Sequence, residues 1–161
     1  MATKATAAFF MGSQHIYIDE IDKRIIHFLQ KHHVMTLATS SDNTPWCCSC
    51  FYVYDDKLNK FLTTSDLDTR HIAEVMKQPM VSGAVALETT MIGKIQGVQF
   101  TGTMTQIKGE EYNLSKKAYI RRFPVAAFAE LQLWSIIPDF IKFTDNRLGF
   151  GKKMIWQNKS S

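Results

Sequence analysis

The spacing of turn residues constrains this chain more than any other feature. Apolar or alternating runs at 34–39, 46–54, 60–64, 80–87, 95–108, 134–144 and 152–156 are separated by clusters such as Ser41-Asp42-Asn43-Thr44-Pro45 and Asp55-Asp56-Lys57-Leu58-Asn59. Such clusters favour turns, and short runs between them read as strands. Only three stretches carry helical spacing. The first runs from Asp19, a candidate N-cap, through Ile21, Ile25, Phe28 and Leu29 to His32-His33. The second covers 69–77 and is closed by Pro79, and the third covers 110–123 with Pro124 just beyond. Six or seven strands with three helices predict a mainly β fold with flanking α-helices, a closed or nearly closed barrel of about six antiparallel strands. Gly83, Gly97 and Gly102 mark places where the sheet curls or a backbone comes close. The regular strand–helix alternation of a Rossmann sheet is absent, and no G-x-G-x-x-G or G-x-x-x-x-G-K sequence occurs.

A chain of 161 residues predicts one domain, here 16–161, preceded by a flexible N-terminal arm at 1–15. With 45% hydrophobic and 21% charged residues, the composition excludes disorder over most of the length. No apolar run approaches the ~20 residues of a membrane span. The apolar stretch at 7–11 is too short for a secretion signal, which implies a cytoplasmic address. A net charge of +4 is too mild to make a nucleic-acid protein and suits an anionic small ligand. Lys116, Lys117, Arg121 and Arg122 read as a solvated basic stripe. The three cysteines, Cys47, Cys48 and Cys50, cannot form a disulfide framework. No second Cys/His cluster lies at a recognisable spacing, so no zinc site is expected, and the cysteines read as small hydrophobes in a reducing compartment.

Four segments could carry chemistry. In 63–71 a strand ends in hydroxyl residues and a helix starts with Arg70 and His71 in its first turn. Backbone N–H groups at a helix start, an Arg fork and an imidazole together suit a phosphate. A capped helix with Asp68 as N-cap and Arg70 paired to Asp66 or Glu74 would use the same residues structurally. In 46–54, alternation places Cys48, Cys50 and Tyr52 on one face and Cys47, Ser49, Phe51 and Val53 on the other. Small residues flanked by aromatics allow a flat ring to lie on a strand, or fill a narrow barrel. Gln99 offers an amide to a ring edge. The tail at 146–156 brackets Phe150 with two glycines and sets basic residues beside Trp156. No hydrolase motif and no dedicated acid–base residue stands out, so no catalytic side chain is assigned.

Together these segments resemble the pyridoxamine 5′-phosphate oxidase-like family of FMN-binding split barrels, and within it the bacterial YhbP subfamily. The resemblance spans about residues 18–156 and rests on Thr69-Arg70-His71, the strand 97–102, the segment Lys117-Ala118-Tyr119-Ile120-Arg121-Arg122-Phe123-Pro124 and the tail 143–156. It implies a homodimer with FMN at the interface and a flavoprotein oxidoreductase acting on a small-molecule substrate. On that pattern Thr69, Arg70 and His71 hold the phosphate with Thr64 or Ser65 nearby. Ser49, Cys50 and Phe51 line the isoalloxazine, and Gln99, Lys152 and Trp156 approach it. The oxidase's C-terminal Arg and His substrate motif is not evident, which leaves the substrate unspecified. The alternative is a non-catalytic FMN- or haem-binding protein.

Overall fold

A computed structural model describes residues 14–149 and 152–159. In chain order the elements are β1 (Gln14–Ile18), α1 (Lys23–Lys31), β2 (Val34–Ser41), β3 (Thr44–Asp55), β4 (Lys60–Thr64), α2 (Arg70–Val75), β5 (Met80–Ala86), β6 (Gln96–Gln106), α3 (Glu110–Arg122), β7 (Leu133–Asp145) and β8 (Lys152–Gln157). Asp42 and Asn43 both take positive φ, 51° and 59°, in the two-residue turn that closes β2 on β3. Asx side chains tolerate that conformation, and a turn of this hand matches the twist of the strands.

The order β4-β3-β2-β5-β6-β7 closes into a ring because β7 pairs with β6 over almost its whole length. This is the six-stranded antiparallel barrel that the sequence predicts. The long β7 serves two partners along its other edge, β4 at 133–136 and β8 at 140–144. The barrel is therefore split where β4 and β8 diverge. β1 adds to β8 in parallel.

Apolar burial explains how the split is filled. Ile25, Phe28 and Leu29 of α1 are buried in the main core beside Tyr52, Phe143 and Met154. The Phe28 and Phe143 rings lie 5.4 Å apart, and Tyr52 donates its hydroxyl to the Leu29 carbonyl at 2.8 Å. Inside the barrel Phe61 stacks on Phe100 at 4.4 Å. Two of the glycines are required there. A Cβ on Gly83 would fall 2.3 Å from the Phe100 ring, and one on Gly102 would fall 2.4 Å from the Ile137 carbonyl, beside the register shift between Thr101 and Gly102. A second small core of Leu62, Ile107, Tyr119, Leu131 and Leu133 lies under α3. Arg122, one of the basic stripe, is exposed and also reaches the carbonyls of Gln30 and Lys31 near the end of α1.

Several expectations shift. The N-cap of α1 is Asp22, not Asp19: the Asp22 carboxylate accepts from the Arg24 backbone at 2.8 Å, whereas Asp19 pairs with Lys159 across the molecule. Gln14 and His15, assigned to the arm by sequence, are strand residues, because β8 supplies a partner that nothing local announces. Residues 1–13, and Phe150 and Gly151 in the tail, lie outside the described residues. The second helix is shorter than its pattern, six residues beginning at Arg70. No helix among the described residues is long and apolar enough to cross a membrane.

Replacing Asp22 with Ala should cost about 1 kcal/mol, the usual loss for an N-cap. The Arg24 guanidinium holds the Asp22 carboxyl at about 2. A carboxyl depressed in the folded state stabilises above its unfolded value of about 3.9, and that contribution is lost as pH falls toward 2. Urea unfolding of both proteins at pH 7 and at low pH checks this: the difference should be present at neutral pH and shrink below about 4.

Candidate functional site

The segment leaving β4 is held by hydrogen bonds before α2 begins. Thr64 donates its hydroxyl, and Ser65 its backbone N–H, to the Gln132 carbonyl at 3.0 and 3.2 Å. The Trp134 indole N–H donates to the Ser65 carbonyl at 3.0 Å. Thr69 occupies the N-cap position, but its hydroxyl donates backward to the Asp66 carbonyl at 2.8 Å, and Asp68 does not cap the helix. The Ser65 hydroxyl and the Nε2 of His71 are 2.7 Å apart, with the Thr69 hydroxyl at 3.4 Å from the same nitrogen. Thus Ser65, Thr69 and His71 form one polar cluster, with Thr64 next in sequence and Arg70 alongside.

Arg70 makes the pairing that the capped-helix alternative predicts. Its Nε donates to Glu74 at 2.8 Å, and its guanidinium lies 4.2 Å over the Trp46 ring. Its side chain is still 47% exposed. Glu74 in turn accepts from the Thr39 hydroxyl at 2.5 Å. The Thr39 hydrogen bond and then the Arg70 guanidinium hold the Glu74 carboxyl below its ordinary value. Burial lowers His71, with the Glu74 charge opposing in part, so the imidazole is neutral at neutral pH.

The strand residues divide between two faces. The burial alternation along β3 turns Cys48, Cys50, Tyr52 and Tyr54 inward and Cys47, Ser49 and Phe51 outward. Cys50 is in the core and cannot lie on one ring together with Ser49 and Phe51, a correction that follows from the two-residue period of a strand. It sits instead beside the Ser65 and Thr63 side chains, and its sulfur is 3.7 Å from that of Cys48. Burial pushes the Cys48 thiol up to about 12 and raises Cys50 as well, so both are neutral thiols. His71 closes this group, since its ring nitrogen and the two sulfurs all lie within 4.8 Å of one another.

On the outer face, register links Ser49 to Thr36, Thr36 to Ala84 and Ala84 to Gln99. A groove of about 340 Å³ runs here, lined by Thr36, Ala38, Ser82, Ala84, Gln99 and Phe140 among others. Ser49 and Gln99 therefore share a row, as a flat ligand would require. Phe51 does not join it, lying between the rings of His33 at 6.0 Å and Phe123 at 5.4 Å. Lys152 and Trp156 are on β8, which among the described residues pairs with β7 and β1, and Trp156 packs against the main core. Trp46, Thr39 and Cys48 complete the polar cluster without having been singled out for it in the sequence; alternation alone gave Cys48 the same face as Cys50.

A six-stranded split barrel with this cluster at one end and a small-residue groove outside defines the class. The chain belongs to the pyridoxamine 5′-phosphate oxidase family, whose family model matches residues 21–140. It is similar to the UPF0306 protein YhbP of Escherichia coli O157:H7, 43% identical over 132 residues that cover 82% of this chain and 90% of that protein. Among solved structures, a heme binding protein from Mycobacterium smegmatis superposes with a TM-score of 0.67 at 15% identity, covering 81% of this chain and 55% of that one. An FAD-binding protein from Mesorhizobium loti gives 0.62 at 16% identity, covering 74% and 88%. At those identities the likeness is one of fold.

Proposed function

We propose that this chain binds FMN and works as a flavin-dependent oxidoreductase on a small molecule. The observation that carries the reading is the gathering of Thr64, Ser65, Thr69, Arg70 and His71 where β4 gives way to α2, in a chain of this family. The donor set fits a phosphate. Arg70 uses only Nε on Glu74, and among the described residues its two terminal nitrogens carry no hydrogen bond, so an anion can take them in a forked contact. The Ser65 and Thr69 hydroxyls can rotate to donate. The Arg70 charge offsets the Glu74 carboxylate beneath it. The groove on β2, β5 and β6 offers small side chains to a flat ring and the Gln99 amide to its polar edge.

Bound flavin supplies hydride or electron transfer, and the protein supplies position and electrostatics. Ser49 and Gln99 would orient the ring, and the phosphate cluster would fix its register. Because the groove is open on one side, the reading includes a homodimer in which a second copy covers the ring and brings Lys152 and Trp156 toward it. Cofactor binding without turnover, of FMN or of haem, is the second reading.

The absorption spectrum of freshly purified protein tests the proposal. Two flavin bands that become bleached by a reduced nicotinamide and return in air are expected. A Soret band would replace the reading with haem binding, and failure of added FMN to bind would end it.

A further inference from the structure

The sequence offers no zinc-like spacing, yet the fold assembles a donor set that the chain order conceals. Cys48 and Cys50 occupy successive inward positions of β3, so both thiols face the barrel interior. β4 pairs with β3 only from Tyr52 onward, and the chain turning from β4 into α2 brings Ser65 and His71 toward the two cysteines. All three ligand atoms are within 4.8 Å of one another.

We propose that Cys48, Cys50 and His71 form a three-ligand site for zinc(II), with the fourth position open to water. The distance between the sulfurs suits a shared ion, and equally suits the S–H···S hydrogen bond that the two thiols make without one. Two thiolates on one tetrahedral zinc, each bonded at about 2.3 Å, stand about 3.8 Å apart. Here they stand 3.7 Å apart without rearrangement. The competing use of two close thiols is a disulfide, whose sulfurs approach to about 2.05 Å across a Cα separation of at most about 6.8 Å. Residues i and i+2 of an extended strand are already about 6.6–6.8 Å apart, at the edge of that range. The strand thus holds the pair near metal-sharing distance and far from bonding distance.

The third ligand is oriented. Ser65, itself fixed by Gln132 and Trp134, holds the His71 ring through its hydroxyl at 2.7 Å. Hydrogen bonds of this kind to an imidazole set the ring orientation a metal needs. His71 is nearly buried, and donating its Nε2–H to the Ser65 oxygen would leave Nδ1 for the ion. Cys48 is partly exposed and gives the ion a way in. Two sulfurs and one imidazole select zinc over magnesium or calcium, which take oxygen. Binding releases the two thiol protons to solvent and changes no oxidation state. The ion would tie β3 to the start of α2 across a junction otherwise made by few contacts.

The site does not rest on the flavin reading, and its test uses flavin-free protein. The reduced, chelator-treated full chain is titrated with cobalt(II) as a spectroscopic probe, and then with zinc. One cobalt per chain, with the intense visible bands of a tetrahedral site and a thiolate-to-cobalt charge-transfer band, is expected, and one equivalent of zinc should abolish both. Cys48→Ser and His71→Ala should each weaken zinc at least tenfold, a typical loss on disturbing such a site. Cys47→Ser, on the outward face, should bind as the parent does. Should a variant fail to fold, alkylation of the parent decides: zinc should slow alkylation of the partly exposed Cys48 and leave that of the exposed Cys47 unchanged. No charge-transfer band in the fully reduced protein, equal weakening by Cys47→Ser, or no protection of Cys48 by zinc would each overturn the site.

Discussion

Trp134→Ala is expected to destabilise the protein by about 3–5 kcal/mol, the range for removing a large aromatic from a core. Trp134 is 1% exposed and ranks among the largest fully buried side chains. It also sits at a junction: its strand pairs with both β4 and β6, and its indole N–H donates to the Ser65 carbonyl at 3.0 Å. The substitution therefore opens a cavity and releases the segment that carries the polar cluster. Trp134→Phe separates these effects. It keeps most of the volume and removes the donor, and should cost about 1–3 kcal/mol. Urea unfolding of the three proteins gives the order parent, Trp134→Phe, Trp134→Ala. If the Phe variant matched the parent, the indole bond would have no part in fixing Ser65.

The second large effect concerns ligand affinity. Arg70→Ala should weaken FMN by about tenfold to more than a hundredfold, the worth of a charge-assisted forked contact of roughly 1.5–3 kcal/mol. Riboflavin lacks the phosphate and should bind parent and variant alike. His71→Ala should weaken FMN less. Its imidazole acquires charge only below the ordinary 6.5, because burial lowers it, so the loss should grow only as pH falls well under that value. Arg70 already has a structural occupation, on Glu74 and over Trp46. If that were its whole role, the variant would lose under about 1 kcal/mol of stability and bind FMN as before. Titrating both apo-proteins with FMN and riboflavin distinguishes the two. Equal affinity of the parent for both ligands would remove the phosphate from this end of the barrel.

Much of the architecture was legible without coordinates because it depends on local patterning. Alternation assigns the inward face of β3, the turn at Asp42-Asn43 needs residues that accept positive φ, and Gly102 lies at the register shift where curling was expected. Helix ends were less legible. Asp19 and Asp22 are equally good N-caps by composition, and what separates them is that Asp19 meets Lys159 while Asp22 meets Arg24. β1 was missed for a related reason: a strand whose partner is more than a hundred residues away has no local signature.

The chain order by itself determined the barrel, its six strands and the candidates around Thr69-Arg70-His71, since periodicity and turn chemistry act over a few residues. Only the tertiary structure decided how those candidates are grouped. It turned Cys50 away from Ser49, put Ser49 and Gln99 in one outer row through Thr36 and Ala84, and seated Arg70 on Trp46. It also brought His71 to Cys48 and Cys50 from a different element. Sequence spacing fixes which face of a strand a residue occupies. Which elements then meet depends on closing the barrel and burying α1 and α2 against it, and that is settled by the whole core at once.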